Sequence, residues 1–456
     1  MASLPRIAAA DVHRVRRFDA VVLGGALPGL VAAIRLAQRG ARVLVVEEEA
    51  AARAHPGWRE PFLLWDAEPG GVLGSCLRAL AVPLIDQRRL VADDMALQLV
   101  TPHARLDWGR APLAAAELTA WGFAKPDEAR ALLGELAEEA EATRETLLAG
   151  SGPRGRRIGA LGLGASAEPP SRARGPSALA EARPELRELL GDVARALSEE
   201  AGLPAEPAAL RMLGALLGGG AIVAGEGGLR ELLWRRLAAL FGERRAIPGP
   251  FRLVAASHLA AVEVMGLQEI WAGRALLLNA PREALALVHD GPAPALLRRT
   301  ASTHRRVGIH LRAPSGLLPE AMARRLVVHG DGYPLRVARH AGPRASARDD
   351  LFVSTVARRD AEVEVVYARL ERVVDELAPF CSERIERRPA PGVRWDRDDL
   401  LHAAAASARD PGVGGTRLSS RPLVVALERD AAAAYGFEGE LLHGWRAGDE
   451  LLAELG

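Results

Sequence analysis

The sequence predicts an α/β protein of two domains, a Rossmann-like unit and an α+β domain with an antiparallel sheet. Three observations carry this. Residues 18–23 form an apolar run ending in glycines, a helical pattern follows, and 42–46 is a second apolar run. Strand, glycine turn, helix and strand within about thirty residues make a βαβ unit. Later, 300–385 shows short alternating strands and one long helix, with no second βαβ unit. The chain, 456 residues and 49% hydrophobic, has material for two or three domains.

Each element follows from its residues. The run 18–23 reads as a buried strand. Residues 30–39 carry the helix, and Gly40 supplies its stop. The valines of 42–46 favour a strand because β-branched side chains suit a pleated surface. From 126 to 148 the pattern is helical, with Asp127 near its start, whereas 150–176 mixes Gly, Pro, Ser and Arg without period and reads as a loop. Helical patterns resume over 185–240, and 251–280 reads as short strands. The alternation of Val307, Ile309 and Leu311 marks a half-buried strand. Residues 326–328 and 335–338 flank His329-Gly330-Asp331-Gly332, a hairpin turn. A strand at 351–356, a helix at 360–380, a last strand at 422–427 and a last helix at 439–455 complete the chain.

The first turn reads Val22-Leu23-Gly24-Gly25-Ala26-Leu27-Pro28-Gly29. It is one residue away from Gly-x-Gly-x-x-Gly, with Ala26 at the middle position. Gly24 permits the tight turn, the middle position sets how closely backbone approaches a pyrophosphate, and Gly29 lets the helix pack on the sheet. The helix N-terminus offers free N–H groups and a positive dipole end to phosphates. Glu47, eighteen residues beyond Gly29 and followed by Glu48, is placed to accept a hydrogen bond from a ribose hydroxyl. An acid there favours FAD or NAD over NADP. The Ala26 methyl supports a second reading, a βαβ unit that no longer binds nucleotide.

From 18 to 47 the chain resembles the N-terminus of the phytoene desaturase and amine oxidase superfamily of FAD-dependent oxidoreductases. Gly227-Gly228-Leu229 and the helix that follows are similar to the family's second block, and Ala275-Leu276-Leu277-Leu278-Asn279-Ala280-Pro281 to the strand that closes it. The segment from Gly436-Phe437-Glu438-Gly439 through Ala447 is similar to the family's final motif. The order of these blocks covers nearly the whole chain.

The resemblance implies a discontinuous FAD-binding domain (1–100, 205–295 and 396–456) and a substrate domain (101–204 and 296–395). It implies that FAD is held by Gly24, Gly25, Ala26, Leu27, Pro28, Gly29, Glu47, Glu48, Gly57, Glu428, Gly436, Phe437, Glu438 and Gly439. The final-motif helix would point its N-terminus at the flavin ring, stabilising negative charge there. The ring takes a hydride or electrons from substrate carbon, so no catalytic side chain is assigned. The substrate implied is an apolar small molecule, isoprenoid- or carotenoid-like. Three departures matter. The family's glycine pair is reduced to Gly57 in His55-Pro56-Gly57-Trp58-Arg59, its Gly-Asp before the final motif is replaced by Glu428 or Asp430, and Ala26 stands in the turn. They carry an alternative function, a flavin-free binding protein of the same fold. The Rab GDP-dissociation inhibitors, which chaperone prenylated partners, are of that kind.

Composition bounds the rest. A net charge of +1 offers no field to attract nucleic acid. The two cysteines, Cys76 and Cys381, form no Cys-x-x-Cys pair, so neither a zinc site nor a disulfide framework is indicated. Residues 1–17 lack the apolar core of a signal peptide, and the longest charge-free apolar stretch, 212–225, is broken by Gly218, Gly219 and Gly220. A soluble cytoplasmic protein is expected, with peripheral membrane contact as its one membrane association. His304, His310, His329 and His340 read as surface or hairpin histidines rather than metal ligands. His443 reads as a packed helix residue, with flavin contact as the alternative.

Overall fold

The computed structural model describes residues 4, 14–59, 71–90, 95–149, 178–198, 206–218, 222, 225–256, 258–265, 267–298, 302–319, 321–330, 332–340, 348–379, 384–401, 415–428 and 436–456. The loop expected at 150–176, Gly219, Gly220, Asp331, Cys381 and Asp430 lie outside these residues.

In chain order the strands are β1 (Arg14–Leu23), β2 (Val43–Glu48), β3 (Met95–Val100), β4 (Arg105–Gly109), β5 (Glu243–Ile247), β6 (Phe251–Ala256), β7 (Leu259–Val264) and β8 (Glu269–Leu278). They continue with β9 (His304–Pro314), β10 (Arg325–Val328), β11 (Leu335–His340), β12 (Arg348–Arg358), β13 (Glu386–Arg388), β14 (Leu400–Leu401), β15 (Thr416–Ser420) and β16 (Leu423–Ala426). The first sheet runs β15-β16-β8-β1-β2-β5, with the β6-β7 hairpin joined through β7 to β8. β1 is parallel to both its neighbours, β2 and β8. The second sheet runs β13-β9-β12-β11-β10-β3-β4, with β14 on β9, and most of its pairs are antiparallel.

The period-2 alternation of β1 builds two cores at once. Ala20 and Val22 face the helix Leu27–Ala37 together with Val45, Ala275 and Leu277. Val21 and Leu23 face the opposite layer with Leu44, Val46, Leu276, Leu278 and Trp395. A strand covered on both faces needs apolar residues at every position, which is why the run is continuous. The helix Leu27–Ala37 is crossed closely by the last helix, Gly436–Leu455. A side chain at Gly444 would overlap the Pro28 carbonyl, and one at Gly448 would stand 2.8 Å from the Arg35 side chain. The second sheet has its own core, where Ile309, Leu326, Val337 and Val353 pack under the helix Val363–Leu377.

Several boundaries differ from the sequence expectation. The first helix begins at Leu27 and the last at Gly436, each three residues early. β2 continues through Glu47 and Glu48, because β5 pairs with it over both residues. β3 pairs with β4 and β10, and β14 with β9, so both belong to the second sheet. The expected boundaries at 100 and 396 therefore each cut the wrong side of a strand. Apolar alternation marks a strand but does not record which sheet receives it. Among the described residues, no helix is long and apolar enough to cross a membrane.

Candidate cofactor site

The parallel strands β1, β2, β8 and β16 end on one edge of the first sheet, the edge where open α/β sheets bind ligands. Gly24 turns the chain out of β1 with φ +115°, and a Cβ there would lie 2.8 Å from Ala280 N. Only glycine suits that conformation and that approach. The turn is stapled by Asn279, directly after β8. Its Oδ1 accepts the Gly29 N–H at 2.9 Å, and its Nδ2 donates to the carbonyls of Gly24 (2.9 Å) and Ala26 (3.0 Å). A side chain at Gly29 would overlap the Asn279 amide. Sequence reasoning missed Asn279 as a site residue. The signal was its polar side chain closing an apolar strand.

Ala26 is the N-cap of the helix and provides no side-chain cap; Leu27 and Pro28 form its buried first turn. The acceptor at this helix end comes from the far side of the chain. The Gly25 N–H donates to Asp396 Oδ1 (3.1 Å) and Oδ2 (3.3 Å). Asp396 also pairs with Arg59 at 3.0 Å, and its own carbonyl accepts from Arg59 at 2.8 Å. Both side chains are buried.

The two glutamates after the glycine turn are already engaged. Glu47 is fully buried, with Arg230 on Oε1 at 2.9 Å and Arg244 on Oε2 at 2.5 Å. Its carboxylate lies against Gly25, where any side chain would overlap it. Glu48 accepts the backbone N–H groups of Arg394 (2.9 Å), Trp395 (2.7 Å) and Asp396 (3.1 Å). Neither Asp396 nor Arg59 was among the residues expected to hold a cofactor. Nothing local in the sequence marks Asp396 as the partner of a turn 371 residues away.

The other expected residues divide. Gly57 sits in a short 3-10 turn, Pro56–Trp58, pressed against the Phe352 ring so that a side chain would overlap it. Glu428, beyond β16, pairs with Arg282. Gly436 takes φ +54°, and it opens the last helix with Phe437, Glu438 and Gly439, all buried. This first turn lies beside Leu197 and Cys76. Burial, with the Glu438 charge adding to it, pushes the Cys76 thiol well above the ordinary range, which makes it a packing residue. His443 is buried in the same helix, as a packed helix histidine would be.

A cavity of about 280 Å³ opens between Gly57, Trp58 and Arg59, the second sheet and the segment 390–399. Trp58, Ile309, Phe352 and Tyr367 line it alongside Arg305, Arg306, Arg336 and Arg397. At its margin Phe352 stacks against both His55 (4.9 Å) and His310 (4.4 Å). His310 Nε2 lies 2.7 Å from Asp350 Oδ1. Burial pushes both imidazoles below their ordinary range, against the opposing pull of Asp350. Burial alone would raise Asp350, but hydrogen bonds from His310 and Arg312 outweigh it and hold the carboxyl low. His310 is buried in β9 and is not the surface histidine expected, whereas His329 lies in the expected hairpin just beyond β10 and bonds Asp192 at 2.6 Å. Among the described residues, no group of three His, Cys, Asp or Glu is placed to hold a metal.

Residues 19–61 match the family model for the FAD binding domain. No curated protein matches the sequence. Solved structures do. Putrescine oxidase, bound to putrescine, superposes over 96% of this chain and 100% of its own with TM-score 0.54 at 14% identity. An oxidoreductase from Methanosarcina mazei covers 94% of this chain and 99% of its own with TM-score 0.55 at 13% identity. A Pyrococcus furiosus protein covers 96% and 98% with TM-score 0.53 at 12% identity.

The fold is that of the FAD-dependent, amine-oxidase-like oxidoreductases.

In that flavoprotein fold the glycine turn and first helix form the diphosphate cradle, and here Gly24, Gly25 and Gly29 let Ala280, Glu47 and Asn279 pack directly against the turn. The anion position at its mouth, however, is taken by Asp396, and the Glu47 oxygens are each bonded to an arginine. In this arrangement the residues do not fit the diphosphate of FAD, because a second anion cannot share the Gly25 N–H with a carboxylate.

Proposed function

We propose that the chain is an FAD-dependent oxidoreductase acting on a small molecule bound in the cavity beside Trp58 and Phe352. The supporting observation is the FAD-domain match over 19–61, set on a turn in which Gly24 takes the positive φ that a tight exit from β1 needs, and on a flavoprotein fold spanning the chain. At about 280 Å³ the cavity lies just under the usual range of ligand sites, roughly 300–1,000 Å³. Its aromatic and aliphatic walls suit the apolar body expected from the family resemblance. Arg305, Arg306, Arg336 and Arg397 share these walls with Asp396, Asp398 and Asp399, and Arg397 is already paired with Asp399 at 2.6 Å, so the lining carries both signs of charge. The substrate class is therefore a small molecule with an apolar body and polar groups that meet this mixed rim.

Asp396 on the Gly25 N–H favours a second reading, the flavin-free binding protein that keeps the fold without turnover. The visible spectrum of the freshly purified protein, with and without added FAD, separates the two. A two-banded flavin spectrum that survives desalting supports the oxidoreductase. A colourless protein that retains no added FAD sinks it in favour of the binding protein.

A further inference from the structure

We propose that residues 393–399 form an internal strap whose Asp396 carboxylate competes with the FAD diphosphate for the Gly25 N–H and for Arg59. This rests on the FAD reading above. A helix N-terminus attracts an anion, and an arginine beside it pairs with carboxylate or phosphate alike. Asp396 satisfies both demands at once, at 3.1 Å from Gly25 N and 3.0 Å from the Arg59 guanidinium.

The strap is fastened on three sides. Glu48 collects the N–H groups of Arg394, Trp395 and Asp396. Trp395 is fully buried and meets Phe251 edge-on, with ring centroids 5.5 Å apart. On the other flank the Asp399 carbonyl accepts the Arg306 N–H at 2.7 Å. Glu48, which the family resemblance would give to the cofactor, thus holds the strap instead. Entry of FAD requires Asp396 to leave the turn, and Arg59 then passes from the carboxylate to the phosphate. The cofactor site is closed by default and opens on loading.

Full-length wild type, Asp396→Ala and Asp396→Asn are stripped of flavin and titrated with FAD, following flavin fluorescence. Both variants should bind FAD at least about tenfold tighter than wild type, the effect of removing one charge-assisted competitor. Wild type that retains no FAD beside variants that do supports the strap equally. FAD binding that is unchanged or weaker in the variants overturns it and leaves the cofactor reading standing. No FAD binding by any of the three overturns both. Because Asp396→Ala leaves Arg59 buried without its acid, hydrogen exchange on folded wild type provides a second measurement. At FAD concentrations that fill the site, the amides of Arg394, Trp395 and Asp396 should exchange faster while Gly25 exchanges more slowly. Strap amides unchanged in the FAD-bound protein would overturn the proposal.

Discussion

Asn279 Oδ1 accepts the Gly29 N–H at 2.9 Å, so a side chain closing β8 holds the first turn of the helix that follows β1. The same amide donates to two carbonyls of the glycine turn. Truncation would strand the buried Gly29 N–H and Gly24 carbonyl and leave the Ala26 carbonyl with the Leu30 N–H alone. Asn279→Ala should therefore lower stability by about 2–3 kcal/mol in urea unfolding, more than one ordinary hydrogen bond. A loss under about 0.5 kcal/mol would show that the turn holds itself.

The buried pair of Glu47 and Arg230 gives a second expectation. Removing one member of a buried ion pair leaves a charge uncompensated and costs about 3–5 kcal/mol. Arg244, half exposed, stays on the other oxygen and moderates the effect. Arg230→Met should thus cost about 3 kcal/mol, and Glu47→Gln with Arg230→Met should recover at least half of it. A strictly additive double-mutant cycle would deny the coupling.

Two glycines in helices should respond oppositely to alanine. Gly444 has the Pro28 carbonyl where a methyl would go, whereas Gly134 has nothing within 4 Å. Gly444→Ala should destabilise by about 1–3 kcal/mol through forced separation of the two helices. Gly134→Ala should stabilise by about 0.5–1 kcal/mol through helix propensity. Thermal unfolding of the two variants decides it, and equal shifts would mean the close helix crossing carries no constraint.

Stability should fall on mild acidification. His55 and His310 have pKa values lowered by burial, so the unfolded chain takes up their protons first as pH drops. Their contribution is intact above about pH 6.5 and is lost as pH falls from there through the lowered folded values. Asp350, held low in the fold, adds a further loss only below its ordinary value of about 3.8. The Tm should decline between pH 7 and pH 5, and His55→Asn with His310→Asn should flatten that decline. An equal slope in the double variant would place the acid sensitivity elsewhere.

By itself the sequence determined the βαβ unit, the antiparallel second sheet and the role of Gly24 and Gly29. These rest on local rules: apolar runs where a strand is covered on both faces, alternation where it is half covered, and glycine where φ is positive. It also located Glu47 and Glu48 at the ligand edge of the sheet. It did not reveal their partners. That Glu47 faces Arg230 and Arg244, that Glu48 fastens a strap, and that Asp396 takes the anion position at Gly25 were decided only by tertiary structure. A carboxylate's chemistry is written in one residue, but its occupant depends on which distant segment burial brings within 3 Å, and 371 positions separate Gly25 from Asp396.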